Sequence, residues 1–207
     1  MSTSVAHQHR PTLVVLLGPT AVGKTEAALQ LAEYIHSPII NADSRQIYAG
    51  LQIGTAAPSA AQQARVKHYF VGALPVGEYY SAARYEQDVL ALTAELFKSR
   101  HTLLLSGGSM LYIDAVCNGI DDIPTVDDEV RQMLRQRLET EGLDRLKAEL
   151  RILDPEYYAQ ADMRNTQRVV HALEICYQTG RTFSSFRTHS TAPRPFRIVK
   201  IGLMRER

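Results

Sequence analysis

Cysteine is scarce in this chain of 207 residues. Only Cys117 and Cys176 occur, and they lie far apart with no CxxC spacing. A disulfide framework and a zinc site are therefore not expected, and a reducing cytoplasm is the expected environment. Neither positive nor negative charge is in clear excess, because the chain has 23 Lys and Arg and 22 Asp and Glu, which gives a net charge of +1. The total charge thus gives no sign of a nucleic-acid partner.

Long apolar segments are also missing. The amino-terminal stretch MSTSVAHQHRP is polar and has no apolar core of the kind that a signal peptide requires. The apolar run that follows it, residues 13–17, is far too short to cross a bilayer. The sequence has no internal repeat and no low-complexity segment. We expect an ordinary globular protein, a monomer with no membrane partner.

One glycine-rich motif stands out, GPTAVGKT, which follows the apolar run TLVVLL and precedes a segment with helical periodicity. Strand, glycine loop and helix are the context that a phosphate-binding loop requires. Backbone N–H groups and the helix N-terminus would face the anion, Lys24 would add positive charge, and the Thr25 hydroxyl would bind Mg²⁺. The alternative is a glycine-rich turn before an ordinary helix. The predicted phosphate-binding residues are Gly18, Pro19, Thr20, Ala21, Val22, Gly23, Lys24 and Thr25.

Polar residues follow two further short apolar runs, at 39–40 and 103–105. Asp43 comes after the first run, and Ser109 comes after the second, behind two glycines. In an open parallel sheet, ligands bind beyond the carboxyl ends of the strands. We therefore expect Asp43, Ser109 and the phosphate loop to share one crevice. A helix N-cap is an equally good explanation for Asp43, and for Ser109 alone it is the better one.

The second half of the chain is mainly helical in pattern. About eighty residues with helical periodicity, including a helix that ends at Pro155, lie between the helix after Ser109 and one more strand near the end of the sequence. This order predicts an α/β fold with a P-loop NTPase-like parallel sheet flanked by helices, formed by residues 1–119 and 191–207. Residues 120–190 would be an inserted, all-helical subdomain.

Positive charge is concentrated near the end of the chain. From Arg164 to residue 205 there are eight Arg or Lys and a single Glu, which gives +7 in a chain whose total is +1. In the helix predicted there, Arg164, Arg168 and His171 would share a polar face opposite a core stripe that includes Val169. A solvated basic face is the ordinary explanation for such a run. A phosphate-rich macromolecular partner is the alternative.

Three motifs in order, GPTAVGKT, NADSRQIYAGLQIGTAAP and GGSMLY, followed by QRVVHALEI, resemble the tRNA isopentenyl transferase family, the tRNA dimethylallyltransferases. The resemblance runs from Val14 to the last residues, and the second motif is its most specific part. It implies transfer of a dimethylallyl group from dimethylallyl diphosphate to N6 of the adenosine just 3′ of the tRNA anticodon. It also implies Mg²⁺ dependence and a helical insertion that binds the anticodon stem-loop.

The resemblance also implies roles for individual residues. Asp43 would be the general base that accepts a proton from N6. Lys24, the loop N–H groups and Mg²⁺ on Thr25 would stabilise the departing diphosphate, so that ATP is unnecessary. The tRNA contacts implied are Asp43, Ser44, Arg45, Gln46, Ser109, Arg131, Gln167, Arg168, Val169, Val170 and His171.

The sequence departs from the family pattern at several positions. Ser109 stands where the family usually has Thr, and Ala57 where it often has Lys. His171 replaces a common Arg, so that the charge there would depend on pH. Family members also continue past the strand at 197–203 with further helices and an arginine that assists the diphosphate. The chain is accordingly expected to be a fragment of a longer protein.

Three other functions share some of these features. A small-molecule P-loop kinase has the same strand, loop, helix and carboxylate base, but it needs an arginine-bearing lid over the γ-phosphate. An adenylate isopentenyltransferase would use a free nucleotide, whereas the basic helical insertion favours tRNA. A nucleotide-dependent switch would need the base-reading NKxD motif and a DxxG motif, and neither is found where such proteins need it.

Overall fold

The computed structural model of this chain describes residues 10–19, 22–51, 53–121, 123–188 and 191–204. Its elements, in chain order, are β1 Thr12–Leu17, α1 Lys24–Tyr34, β2 Ile39–Asn41, α2 Ala60–Arg65, β3 His68–Tyr69, α3 Ala82–Leu96, β4 Thr102–Ser106, α4 Met110–Asn118, α5 Asp128–Glu141, α6 Leu143–Leu153, α7 Pro155–Gln160, α8 Thr166–Thr179 and β5 Arg197–Gly202. The chain divides into two compact units, and Asp121–Ser190 is the second of them.

The first unit is built on a parallel sheet with the strand order β3-β2-β4-β1-β5. Because successive side chains of a strand point to opposite faces, the unbroken apolar run of β1 supplies both sides of the sheet. Leu13 and Val15 pack with residues of α3 and α4. Val14 and Leu16 pack with residues of α1. The sheet is therefore covered by helices on both faces.

The second unit consists of α5 to α8 and a short 3-10 turn, Ser184–Phe186. Among the residues of this unit that the structure describes, the core is apolar with one exception. The carboxylate of Asp154 is fully buried, and it accepts hydrogen bonds from the backbone N–H of Tyr157 and from both the N–H and the hydroxyl of Ser184. A buried carboxylate needs such partners. Asp154 thus ties the start of α7 to the turn at 184–186.

Several elements differ from the sequence-based expectations. The strand β3 has two residues, too few for a periodic pattern. The helix α3 was not among the predicted elements, although the sequence contains a signal for it. Ser81 caps the helix, and Ala82, Tyr85 and Val89 follow at helical spacing. The helix α6 ends at Leu153, and Pro155, where that helix was expected to end, is instead the first residue of α7. Among the described residues, no helix is long and apolar enough to span a membrane.

Candidate active site

The glycine-rich loop joins β1 to α1. Gly23 is the N-cap of α1 and has φ 97° and ψ 16°, a left-handed conformation that favours glycine. The Nζ of Lys24 donates hydrogen bonds to the carbonyl oxygens of Gly18 at 2.7 Å and Pro19 at 2.6 Å. The ammonium group is thereby held within the loop. Thr20 and Ala21, which belong to the predicted phosphate-binding set, lie outside the described residues.

Lys24 and Asp43 are electrostatically linked across the ends of two strands. Partial burial lowers the pKa of Lys24, and the carboxylate of Asp43 acts in the opposite direction. Such an effect requires the two charges to lie near each other. The loop after β1 and the turn after β2 therefore present opposite charges to the same space.

That space is a cavity of about 320 Å³ in the first unit. Lys24 and Thr25 line it from the first turn of α1, and Asp43 lines it from the turn after β2. The structure thus brings together the three residues predicted to be catalytic. The complete lining is Gly23, Lys24, Thr25, Ala28, Ile39, Asn41, Asp43, Gln46, Thr55, Ala56, Pro58, His68, Ser106, Gly107 and Gly108.

The two carboxylate oxygens of Asp43 differ in their hydrogen bonds. Oδ1 accepts hydrogen bonds from the backbone N–H groups of Arg45 at 3.0 Å and Gln46 at 3.3 Å. These bonds cap a turn and not a helix, which corrects the N-cap alternative for this residue. Within the described part of the chain, Oδ2 has no hydrogen-bond partner. One carboxylate oxygen thus holds the turn while the other remains able to accept a proton.

Ser109 is hydrogen-bonded to the turn that carries Asp43. It occupies the N-cap position of α4, but its side chain makes no capping bond to that helix. Instead, its Oγ accepts a hydrogen bond from the backbone N–H of Ser44 at 2.8 Å and donates to the Ser44 hydroxyl at 3.0 Å. Ser109 therefore fixes the residue next to Asp43, which replaces the expectation that it caps a helix.

Gln46 lines the cavity and is hydrogen-bonded to the loop at 55–58, which also lines it. Its Nε2 donates to the carbonyl oxygens of Thr55 at 3.0 Å and Ala56 at 3.4 Å. The side chain of this predicted tRNA contact is therefore engaged with the loop at 55–58. Arg45, between Ser44 and Gln46, is exposed.

The ends of β2 and β4 are joined closely beside the cavity. The N–H of Ala42 donates to the carbonyl of Ser106 at 2.9 Å, and the N–H of Ser109 donates to the carbonyl of Ala42 at 3.0 Å. A Cβ added at Gly107 would lie 2.2 Å from the carbonyl carbon and oxygen of Ala42. Only glycine allows this approach, which sets the position of the turn that carries Asp43.

We expect Gly107→Ala to destabilise the protein by about 3 kcal/mol, because the clash is with backbone that cannot move aside. Gly108→Ala is the matched control, since a Cβ there would lie 3.6 Å from the nearest atom, an ordinary contact. Urea unfolding of both variants measures the difference. Equal stabilities would show that β2 and β4 are not held together as described.

His68 was not selected from the sequence as a site residue. Its ring lines the cavity, and Nδ1 lies 2.8 Å from the carbonyl oxygen of Val66. Burial lowers the pKa of His68, which favours the neutral imidazole near pH 7. With the proton on Nδ1 for the bond to Val66, Nε2 is an acceptor. The signal for it in the sequence was the resemblance of the segment VKHYFVG to a histidine-containing segment of the tRNA isopentenyl transferase family.

The predicted tRNA contacts of the second unit lie mainly on α8. Gln167, Arg168 and His171 are exposed there. Val169 is fully buried in the core of the unit, and Val170 is partly buried against it. The prediction is corrected for Val169, whose side chain offers no surface to a ligand. Arg131, the remaining predicted contact in this unit, belongs to α5.

The proposed polar face of this helix also needs correction. The N-cap is Asn165, so Arg164 precedes α8 and does not share its periodicity. Its Nε lies 3.2 Å from a carboxylate oxygen of Asp162. His171 lies 3.2 Å from a carboxylate oxygen of Glu174 and is therefore not an isolated basic group.

Arg187 and Arg168 both lie near Tyr157. The guanidinium of Arg187 lies over the ring of Tyr157 at 5.4 Å from the centroid. Burial raises the pKa of Tyr157, while Arg187 and Arg168 both act to lower it, so both charges lie near its hydroxyl. Within the described residues, neither arginine has a carboxylate at ion-pair distance, although the charge of Arg168 contributes to lowering the pKa of Asp162. Two guanidinium groups without such a partner form a candidate site for phosphate groups.

The parallel sheet, the glycine-rich loop before α1 and the charged cavity at the strand ends define this chain as a P-loop α/β protein. The sequence profile of the family described as IPP transferase matches residues 46–207. The chain belongs to the IPP transferase family.

Relatives and solved structures agree with this assignment. The tRNA dimethylallyltransferase 1 of Phocaeicola vulgatus is 62% identical over 196 residues, which cover 95% of this chain and 65% of that protein. The protein of the same name from Bacteroides fragilis is 59% identical, with the same two coverages of 95% and 65%. The chain therefore spans just under two thirds of the length of these relatives.

Two solved structures are similar in fold. The full-length tRNA isopentenylpyrophosphate transferase of Bacillus halodurans is 31% identical with a TM-score of 0.56, over 93% of this chain and 60% of its own. A eukaryotic dimethylallyltransferase acting on tRNA has a TM-score of 0.74 at 22% identity, over 93% of this chain and 48% of its own. The second comparison concerns the fold alone. The predicted P-loop NTPase-like sheet flanked by helices is confirmed.

Proposed function

We propose that this chain provides the donor site and the catalytic carboxylate of a tRNA dimethylallyltransferase. The enzyme transfers a dimethylallyl group from dimethylallyl diphosphate to N6 of the adenosine 3′-adjacent to the anticodon in tRNA, and it releases diphosphate. The observation that carries the proposal is the shared cavity of Lys24, Thr25 and Asp43. The names of the relatives that match 95% of the chain support it.

The chemistry of the reaction explains why both charges are needed. The exocyclic amine of adenine is a weak nucleophile, because its lone pair is delocalised into the ring. As N6 bonds to the allylic carbon, the bond from that carbon to the diphosphate oxygen breaks, and the electron pair leaves with diphosphate. Lys24 and the loop N–H groups stabilise that negative charge. Asp43 accepts the proton that N6 loses.

Mg²⁺ is the proposed cofactor, and the residues present fit it. Among the described residues, no cluster of three His, Cys, Asp or Glu could hold a metal. Mg²⁺ is commonly held by few protein oxygens together with substrate phosphates and water. The exposed Thr25 side chain, in a cavity that also contains a carboxylate, fits that mode, and its hydroxyl would hold the ion. When bound, Mg²⁺ supplies neutralisation of charge on the diphosphate.

The proposed partner is the anticodon stem-loop of tRNA, and the proposed location is the cytoplasm. Loop adenosines can leave their stack at low cost, which the reaction requires. On the first unit, we propose contacts from the turn at 43–46 and from Ser109. On the second unit, the candidates are the partly exposed Arg131 and the exposed Gln167, Arg168 and His171.

One assay separates this function from its alternatives. The protein is incubated with Mg²⁺ and labelled dimethylallyl diphosphate, with tRNA in one reaction and AMP in another, and with labelled ATP in a third. Label in tRNA alone is the expected result. Label in AMP would indicate an adenylate isopentenyltransferase, and phosphoryl transfer from ATP would indicate a kinase.

The pair Arg168 and Arg187 gives a separate prediction. Replacing both with Ala should weaken tRNA binding and lower the slope of log K against log salt by about 0.7 to 0.9 for each tRNA phosphate that the variant no longer neutralises. The control replaces Arg145 and Arg151, exposed arginines of α6, with the same change in charge. Salt titrations of tRNA affinity measure both. Identical slopes in the two double variants would mean that Arg168 and Arg187 face solvent and do not contact tRNA phosphates.

A further inference from the structure

The peptide between Asn41 and Ala42 comes directly before Asp43 and is held from two sides. Its N–H, which belongs to Ala42, donates to the carbonyl of Ser106 in β4 at 2.9 Å. Because the carbonyl of a trans peptide points away from its N–H, the carbonyl of Asn41 points away from β4, toward the side of β3. There it accepts a hydrogen bond from the hydroxyl of Tyr85 at 2.8 Å. The last peptide before the proposed general base is therefore fixed at both ends.

The hydroxyl of Tyr85 binds β2 where the pairing of β2 with β3 has ended. The strand β3 has two residues and ends at Tyr69, and Phe70 has φ 61°, a left-handed conformation that takes the chain out of the sheet. Asn41 is only 6% exposed, so its carbonyl depends on a partner inside the protein. A side chain from α3 thus supplies the hydrogen bond that a longer neighbouring strand would give.

The ring of Tyr85 leaves its hydroxyl little freedom. The residue is fully buried, and its ring stacks on Tyr112 of α4, with the centroids 4.3 Å apart and an angle of 19° between the planes. The ring of Phe70 packs against it edge-on, with the centroids 5.3 Å apart. Burial raises the pKa of Tyr112 to about 12, with smaller contributions from neighbouring groups that include Asp43, so these rings lie near that carboxylate.

We propose that Tyr85 is a positioning residue for Asp43: its hydroxyl holds the carbonyl of Asn41, and this sets the place of the proton acceptor relative to N6 of the adenosine. Tyr85 is fully buried and does not line the cavity, so it acts only through β2. The inference rests on the proposed function, because it assigns to Asp43 the proton that N6 loses. Since the bond comes from a side chain, a single substitution removes it.

Tyr85→Phe removes the hydroxyl and keeps the stacked ring. Without this donor the peptide before Asp43 can rotate, and we expect kcat of dimethylallyl transfer to fall at least fivefold, since misplacing a reacting group by about 1 Å can cost about 10²-fold. The KM values for donor and tRNA should stay within about twofold. The concentration of donor-binding sites, measured by calorimetry, is used to calculate kcat, so that a loss of folded protein does not contribute. An unchanged kcat would overturn the inference.

Tyr80→Phe is the matched control. Tyr80 belongs to the same aromatic cluster, with its ring 6.5 Å from that of Tyr85, but its hydroxyl donates to the carboxylate of Asp88 in α3 at 2.7 Å and not to β2. Each variant loses one hydrogen bond of a tyrosine hydroxyl, and both should be less stable in urea. Only Tyr85→Phe should lower kcat. Equal losses of kcat would assign the effect to the packing of the cluster and overturn the inference.

A double-mutant cycle with Asp43→Asn separates positioning from a general structural role. If Tyr85 acts through Asp43, Tyr85→Phe should change turnover less than about twofold once the carboxylate is gone. The same fivefold or greater loss in the Asp43→Asn protein would show that Tyr85 acts independently of Asp43, which would contradict the proposal.

Amide hydrogen exchange reports on the same contact without requiring transfer. The N–H groups of Ala42, Arg45 and Gln46 should exchange at least tenfold faster in Tyr85→Phe than in wild type and at an unchanged rate in Tyr80→Phe. Unchanged exchange in Tyr85→Phe, or an equal rise in both variants, would overturn the inference. Faster exchange in Tyr85→Phe without any transfer to tRNA by the wild type would refute only the proposed function. Transfer by the wild type with an unchanged kcat in Tyr85→Phe would refute only the positioning role.

Discussion

Asp43→Asn should lower the turnover of dimethylallyl transfer by about 10²-fold or more, while tRNA affinity stays within a few-fold of wild type. The variant removes the proton acceptor but keeps the geometry. The Oδ1 of an asparagine can still accept from the N–H groups of Arg45 and Gln46, which hold the turn. The loss would therefore report on proton transfer and not on a misplaced turn.

Two comparisons sharpen this experiment. Asp114→Asn serves as the control for charge, because Asp114 is an exposed carboxylate of α4 outside the cavity. Asp43→Ala removes the capping bonds as well and should also lower stability in urea. Near-normal turnover in Asp43→Asn, with tRNA and donor saturating, would reduce Asp43 to the residue that shapes the turn.

Lys24→Met should weaken binding of dimethylallyl diphosphate and lower turnover, together by about 10² to 10³ in kcat/KM, because the charge that stabilises the diphosphate is removed. Methionine keeps most of the length of the side chain but removes the charge and the hydrogen bonds that Nζ donates to the carbonyl oxygens of Gly18 and Pro19. No ATPase activity should be created or abolished. Thr25→Ala should act in the same direction, because it removes the hydroxyl.

Lys67→Met is the matched control, since Lys67 is an exposed lysine of the first unit that lies over the ring of Tyr69. Donor affinity, measured by calorimetry, should be unchanged there. The lowered pKa of Lys24 adds a pH dependence. Because burial favours its neutral form, donor affinity should fall at a lower alkaline pH than an ordinary lysine would give. Equal donor affinity in Lys24→Met and wild type would remove the phosphate loop from the mechanism.

The elements predicted correctly are those with a strong local signal. The unbroken apolar run of β1 and the glycine loop after it identify the strand and the start of α1 without reference to the rest of the fold. Gly180 ends α8 in a left-handed conformation with φ 66°, and a glycine at the end of a helical pattern is a local signal for such an end. Such signals depend only on neighbouring residues, which explains their success.

The elements and roles that were missed depend on distant residues. The strand β3 exists because His68 and Tyr69 pair with β2, about thirty residues earlier. Ser109 faces Ser44 because Gly107 allows β4 to approach Ala42, a contact that no local pattern reveals. Arg164 was misplaced by one residue relative to the N-cap, which was enough to remove it from the helix face.

The central claim is that the phosphate loop holds the leaving group of an alkyl donor and not a nucleotide for hydrolysis. Its most direct test is competition between dimethylallyl diphosphate and ATP for the wild-type protein in the presence of Mg²⁺, with ATP hydrolysis followed in the same samples. We predict that dimethylallyl diphosphate binds at least tenfold more tightly and that ATP is not hydrolysed. Tighter binding of ATP, accompanied by its hydrolysis, would contradict the account.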